Sequence, residues 1–146
     1  MKNTSNPLMH KILFSLSIVG LLISGYLFIT YTSPVPLRCG EGGGCHVVQE
    51  SQYAAFFNVP TPAYGLIFYI ILGLLAAVWG TDNTRTLYWP ILLVASTGVA
   101  VSAYLSYLEA FVLEAWCTWC IASAIVTVLA LLTVWMHPIP ERSITT

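Results

Sequence analysis

Apolar positions fall in four long runs, and the stretches between them hold nearly all of the charge. Lys, Arg, Asp and Glu are absent from residues 12–37, 51–81, 86–108 and 115–140. A helix needs about 20 apolar residues to cross roughly 30 Å of hydrocarbon. The runs therefore predict four membrane-spanning helices, at about 12–31, 63–80, 87–108 and 117–136. Aromatic residues gather at the run ends as an interfacial belt would place them: Tyr26 and Tyr31, Tyr88 and Trp89, Tyr104 and Tyr107, Trp116 and Trp119, and Trp135. The first run has a basic start but exceeds the 7–15 apolar residues of a signal peptide and precedes no small-x-small cleavage site, so it reads as a span. Between the first two spans lies a long outer loop, 32–62. Within it, His46–Phe57 contains no Pro or Gly and sets Val47, Val48, Ala54, Ala55, Phe56 and Phe57 loosely at helical spacing, which predicts a short amphipathic helix lying over the bundle mouth. The expected fold is an all-α integral membrane protein: one domain over 1–146, a four-transmembrane-helix bundle with a short amphipathic cap helix in the first outer loop.

Composition agrees and removes whole classes of function. The chain of 146 residues is 58% hydrophobic and only 8% charged, against about 25% charged in a soluble domain. Too little polar surface remains for a water-soluble enzyme or a disordered tail. A net charge of −1 gives no basic patch for nucleic acid; the surroundings are lipid. The signs of the few charges orient the chain. Four spans put both termini on one side together with Lys2, Lys11, Arg85 and Arg142, while Arg38 faces the other side with Glu41, Glu50, Glu109 and Glu114. Basic loops stay inside, so the termini and the 81–86 turn are expected in the cytoplasm of a cell whose inner membrane holds the protein.

That topology gives the four cysteines a common face. Cys39 and Cys45 lie in the first outer loop; Cys117 and Cys120 lie at the outer mouth of the fourth span. All are expected on the periplasmic or extracellular side, where disulfides persist. Of the three possible pairings, proximity in sequence favours Cys39–Cys45 and Cys117–Cys120. Cys117-Thr118-Trp119-Cys120 is a Cys-x-x-Cys opening a helix, whose unpaired N–H groups and partial positive charge stabilise a thiolate. Such a pair suits exchange between dithiol and disulfide. The alternatives are small hydrophobic packing and a four-sulfur zinc site; the Cys39-x₅-Cys45 spacing is unlike zinc ligation, and no metal is expected. Gly40, Gly42, Gly43 and Gly44 free the backbone between the first two thiols, so this loop can close one disulfide and reach for another sulfur. His46, next to Cys45, reads as a solvated loop histidine.

The order of motifs resembles a known family. Cys39-x₅-Cys45 is followed by Ser51, Tyr53-Ala54, and Pro60-Thr61-Pro62-Ala63-Tyr64-Gly65 leading into a span. Gly20 and Ser24-Gly25-Tyr26-Leu27 lie in the first span, and Tyr104-Leu105, Glu109 and Trp116 to Cys120 mark the junction of the third and fourth. Together they resemble the vitamin K epoxide reductase family over about residues 10–136, and its bacterial branch more than the vertebrate enzymes. The resemblance implies a quinone-dependent thiol oxidase that drives disulfide bond formation. Cys120 would pass electrons to a quinone, ubiquinone or menaquinone, held between the helices. Cys117 would exchange with Cys45 through a transient Cys45–Cys117 disulfide. Cys39 would face a periplasmic thioredoxin-fold partner, and Ser51 on the cap helix would support the cysteines by hydrogen bonding. Some members carry a thioredoxin-like domain after the bundle; this sequence ends at Thr146, so a separate partner is expected. Vertebrate members hold the vitamin K head group with an Asn before the second span and a Tyr four residues after the last Cys. Here Thr61 stands near the first position and Ala124 at the second, which points to quinone rather than epoxide reduction.

An apolar pocket lined by span aromatics would suit a quinone ring, with Tyr64, Phe68 and Tyr104 beside Cys120 as candidate walls; packing alone also accounts for each ring. Two other readings remain. The disulfide bond protein B family also has four spans and two cysteine pairs, but with the Cys-x-x-Cys in the first outer loop, the reverse of the order here. A structural membrane protein would use the same cysteines only to staple its loops.

Overall fold

A computed structural model describes residues 7–40, 44–82 and 85–137. Lys2, Glu41 and Arg142, three of the charges that orient the chain, lie outside them. Four long helices carry the fold: α1 (Pro7–Thr32), α3 (Thr61–Asp82), α4 (Arg85–Phe111) and α5 (Thr118–Trp135). Each contains an apolar stretch long enough to cross a membrane, at Leu8–Thr32, Thr61–Thr81, Thr86–Phe111 and Thr118–Trp135. Their outward faces are apolar too: Leu22 is 70% exposed, Leu93 69% and Trp135 72%. In water such faces would drive aggregation; against lipid they are the expected surface. The protein is an all-α, multi-pass membrane bundle.

With lipid outside, close packing rather than hydrophobicity holds the helices together, and small residues permit it. A Cβ added to Gly20 of α1 would collide with the Tyr69 ring of α3. A Cβ on Gly65 would lie 2.8 Å from Ser24 Oγ, and one on Gly73 3.4 Å from Ser17 Cβ. The backbones of α1 and α3 thus approach along a stripe of Gly and Ser. At one end of the bundle Leu13, Leu72, Trp79, Tyr88, Ile91 and Val134 form a buried cluster. The start of α1 and the ends of α3 and α5 meet there, where Trp79 and His137 stack with ring centroids 4.7 Å apart. At the other end a second cluster joins Leu27, Leu37 and Val48 to Cys45 and Cys117. The start of α1 and the end of α5 therefore lie at the end of the bundle opposite the sulfurs.

The outer loop departs from the expected single helix over His46–Phe57. Helix α2 spans only Cys45–Glu50. Ser51 then turns to extended backbone (φ −71°, ψ 157°), and its hydroxyl donates to the Val48 carbonyl at 2.8 Å, stopping the helix. A hairpin follows, β1 (Ala55–Phe56) against β2 (Val59–Pro60), with Phe56 opposite Val59. Phe57 and Asn58 between them have φ of 51° and 61°, the left-handed pair of a type I′ turn. Asn tolerates that conformation well; Phe does so rarely, and Phe57 is 96% exposed at the tip. Thr61 closes the hairpin onto α3, its N–H donating to the Ala54 carbonyl at 2.9 Å.

Candidate functional site

Two backbone segments bring the sulfurs together. Cys45 is the first residue of α2, and Cys117 is the N-cap of α5 in the extended conformation a cap requires (φ −97°, ψ 111°). The Gly44 N–H donates to the Trp116 carbonyl at 3.1 Å, joining the two segments next to their cysteines. The approach is so close that a Cβ on Gly44 would stand 2.5 Å from Ala115 Cβ. The positional demand is steric, because Gly44 itself has an ordinary φ of −83°.

Cys39 and Cys45 form a disulfide, with Cα atoms 5.7 Å apart, and Cys117 and Cys120 are free. The Cys45 and Cys117 Sγ atoms are 3.6 Å apart, and those of Cys39, Cys45 and Cys117 all lie within 4.8 Å of one another. A disulfide with a third sulfur this near one of its atoms has the arrangement that thiol–disulfide exchange requires. Zinc would instead need these sulfurs as separate thiolates. Burial grades along the row: Cys45 and Cys117 are fully buried, while Cys39 and Cys120 at its two ends are half-buried.

The local chemistry favours a thiolate at Cys117. Its Sγ accepts the Cys120 N–H at 3.3 Å, doing for α5 what a Ser or Asp oxygen does at other helix starts. Hydrogen bonding from the Cys120 side chain holds the Cys117 thiol below its ordinary value. Burial opposes this, the backbone N–H groups of Cys120 and Trp119 assist, and the Glu109 charge opposes. The N-terminal end of the α5 dipole acts in the same favourable direction.

Three side chains fix this arrangement that the sequence did not mark for the task. Gln49 accepts the Leu37 N–H at 2.8 Å and donates to the Thr30 carbonyl at 3.0 Å, tying α2 to the end of α1 and to the segment before Cys39. It stands four residues after Cys45, on the same helical face, and that spacing is the available signal. Trp119, inside the Cys-x-x-Cys, donates its indole N–H to the Arg38 carbonyl at 3.3 Å and stacks on Tyr26 at 4.7 Å. Glu109 is the largest revision. Expected as an outer-loop charge, it lies within α4 and is only 4% exposed. Its Oε2 accepts the Cys117 N–H at 3.0 Å. Gly98, Ser102, Leu105 and Glu109 continue one stripe at helical i, i+4, i+7 and i+11 spacing, a pattern visible in the sequence.

Behind Cys120 opens a cavity of about 270 Å³ between α1, α3, α4 and α5, closed over by Val48, Tyr53 and Ala54 of the loop. Its volume is just under the range of about 300–1,000 Å³ usual for ligand pockets, the scale of a substituted ring. Cys120, Tyr64 and Phe68 line it. Tyr104 does not: its ring is 53% exposed on the outer side of α4. The Ser51 hydroxyl is engaged with the Val48 carbonyl at 2.8 Å, in the turn that ends the helix Cys45 opens. His46 is exposed. Most of the wall is apolar, as a quinone ring would require. Its polar side chains include Glu109 and the Tyr69 hydroxyl, which is bonded to Ser123 Oγ at 2.9 Å and Thr127 Oγ1 at 3.0 Å. The Thr61 hydroxyl is already committed to the Tyr53 and Ala54 carbonyls at 3.0 and 2.9 Å.

This order, from a half-buried disulfide through two buried sulfurs to a thiol on an intramembrane cavity, agrees with a comparison against protein families. The model described as the vitamin K epoxide reductase family matches residues 11–135. The chain therefore belongs to the vitamin K epoxide reductase family, and with it to the membrane oxidoreductases that exchange thiols with disulfides and use a quinone as electron acceptor.

Proposed function

We propose that the protein is a quinone-dependent thiol oxidase that reoxidises a separate thioredoxin-fold protein and so drives disulfide bond formation. The observation that carries this reading is the 3.6 Å separation of Cys45 and Cys117, which links a disulfide at the bundle mouth to a thiol pair whose Cys120 lines the cavity. The partner's dithiol reduces Cys39–Cys45, taking one disulfide and leaving two thiols. Cys45 thiolate then attacks Cys117 of an oxidised Cys117–Cys120 pair, forming Cys45–Cys117 and releasing Cys120 as thiol. Cys39 attacks Cys45, restoring Cys39–Cys45 and freeing Cys117, whose lowered thiol value makes it the better leaving group. Two electrons and two protons now reside on Cys117 and Cys120. A quinone in the cavity supplies the oxidising power; Cys120, Phe68 and Tyr64 are the residues to hold it.

The same cavity favours quinone over epoxide chemistry. Thr61 has its hydroxyl committed, and Ala124 has no donor to offer. The charge pattern supports an inner-membrane setting with the sulfurs on the periplasmic or extracellular side, because Lys11 and Arg85 belong to the end opposite them. The test is direct. Purified protein should reduce quinone when given a reduced thioredoxin-fold partner, and Cys39, Cys45, Cys117 and Cys120 should each be required. A Cys120→Ala protein that reduces quinone at the normal rate would remove the assigned role of that thiol. Cysteines that staple loops without any quinone reduction would instead mark a structural protein.

A further inference from the structure

The relay explains where two electrons go and leaves two protons to be moved. Oxidising the Cys117 and Cys120 thiols breaks two S–H bonds, forms one S–S bond and delivers two electrons and two protons to the quinone oxygens. Most of the cavity surface beside Cys120 is apolar, so those protons call for a side chain able to carry them. A buried carboxylate is costly in a membrane and normally has work to do there. Glu109 is such a group. It is 4% exposed, accepts the Cys117 N–H through Oε2 at 3.0 Å, and lines the same cavity as Cys120. The titratable groups facing it are Cys117 at the N-cap of α5, Cys120 within it, and Tyr31 of α1.

We propose that Glu109 is the acid–base residue of the quinone-reducing step, accepting each thiol proton in turn and passing it to a quinone oxygen. The inference rests on the thiol-oxidase reading. The N–H bond to Oε2 holds the carboxylate at the Cys117 backbone, on the cavity wall that Cys120 also lines, and leaves its other lone pairs for the S–H proton. As the Cys120 sulfur gives up its electron pair, its proton passes to the carboxylate and on to the acceptor oxygen; the Cys117 proton follows the same route as the disulfide closes. Glu109 ends the cycle ionised, as it began. A residue that served only to pin the loop before α5 would need the hydrogen bond to Cys117 and no proton capacity.

Glu109→Gln separates the two roles, since the amide oxygen keeps the Cys117 bond and cannot carry a proton. Wild-type protein reducing quinone at all tests the thiol-oxidase reading; the variant tests this inference alone. We expect single-turnover quinol formation to fall about a hundredfold, within the usual span for general acid–base groups, while exchange of Cys39–Cys45 with dithiothreitol stays within twofold. Quinone-free protein gives a second readout. On reducing Cys117–Cys120, the infrared difference spectrum should show a carboxyl band shift in wild type that Glu109→Gln lacks. Should the amide variant not fold, Glu109→Asp, whose acid stands one methylene farther back, should slow quinol formation and spare exchange. Unchanged quinol formation, equal losses in both half-reactions, or no carboxyl band in wild type would overturn the assignment.

Discussion

Gly44→Ala puts the structural basis of the relay to a quantitative test. The added Cβ would stand 2.5 Å from Ala115 Cβ, 3.1 Å from Ala115 Cα and 3.3 Å from the Trp116 nitrogen. Carbon atoms pack at about 3.5–4.0 Å, so the two segments must part by roughly 1 Å. The 3.1 Å bond from the Gly44 N–H to the Trp116 carbonyl is then lost or badly stretched. Overpacking costs about 1–3 kcal/mol, offset by about 0.4–1 kcal/mol because alanine restricts the unfolded chain at this allowed φ. Stability should therefore fall by no more than about 2.6 kcal/mol, and the protein should remain folded. The relay should suffer more. Cys45 is the next residue, and moving its Sγ from 3.6 Å to about 4.6 Å from Cys117 takes it out of attack range; a misplacement of about 1 Å can cost a hundredfold in rate. The assay is stopped-flow formation of the Cys45–Cys117 bridge in a Cys39→Ala background, with circular dichroism as the folding check. Gly40→Ala is the control, since a Cβ there meets no atom within 4 Å. Bridge formation at the parental rate in a folded Gly44→Ala protein would refute the claim that this close approach sets the sulfur geometry.

Other perturbations address neighbouring parts of the site. Trp119→Phe keeps a ring against Tyr26 but removes the 3.3 Å bond to the Arg38 carbonyl. At an exposed position that bond is worth about 0.5 kcal/mol, so reduction of Cys39–Cys45 by the partner should slow about twofold with little change in unfolding temperature; an unchanged rate would show that the indole does not hold the Cys39 segment. The Cys117 thiol has its own pH signature. In a Cys120→Ser protein, which keeps a side-chain donor, attack of Cys117 on Cys45 should reach half its maximal rate below the ordinary thiol value of about 8.5. Cys120→Ala removes the largest contribution and should move that midpoint up; equal midpoints would show that the donor plays no part. The linked stability has the sign of a depressed acid: present above the ordinary thiol range and lost as pH falls through the folded value.

Much of this architecture was legible because lipid imposes a coarse rule. Four charge-free runs had to be four helices, and Cys117 had to stand at the start of one of them. What escaped depended on local hydrogen bonds or on packing between distant segments. The cap helix ends at Glu50 because the Ser51 hydroxyl takes the Val48 carbonyl and Phe57–Asn58 turns left-handed; apolar spacing through Phe57 could not show either. Glu109 was read as a span end because a charge there normally is one. In the fold α4 continues to Phe111 and the carboxylate is stabilised by a backbone N–H eight residues on. Tyr104 had the right residue type and the wrong face of its helix. The partners of Gln49 and Trp119, 12 to 81 residues away, exist only once the chain has packed.

The account turns on direct transfer between Cys45 and Cys117, and a trapping experiment tests it most directly. In a Cys39→Ala protein, Cys45 can attack the oxidised Cys117–Cys120 pair, and without Cys39 the product can revert only by return attack of Cys120, which acid quenching stops. Non-reducing digestion and mass spectrometry should find a Cys45–Cys117 linkage with Cys120 free. A Cys45–Cys120 linkage, or an intact Cys117–Cys120 disulfide beside a free Cys45, would contradict the relay.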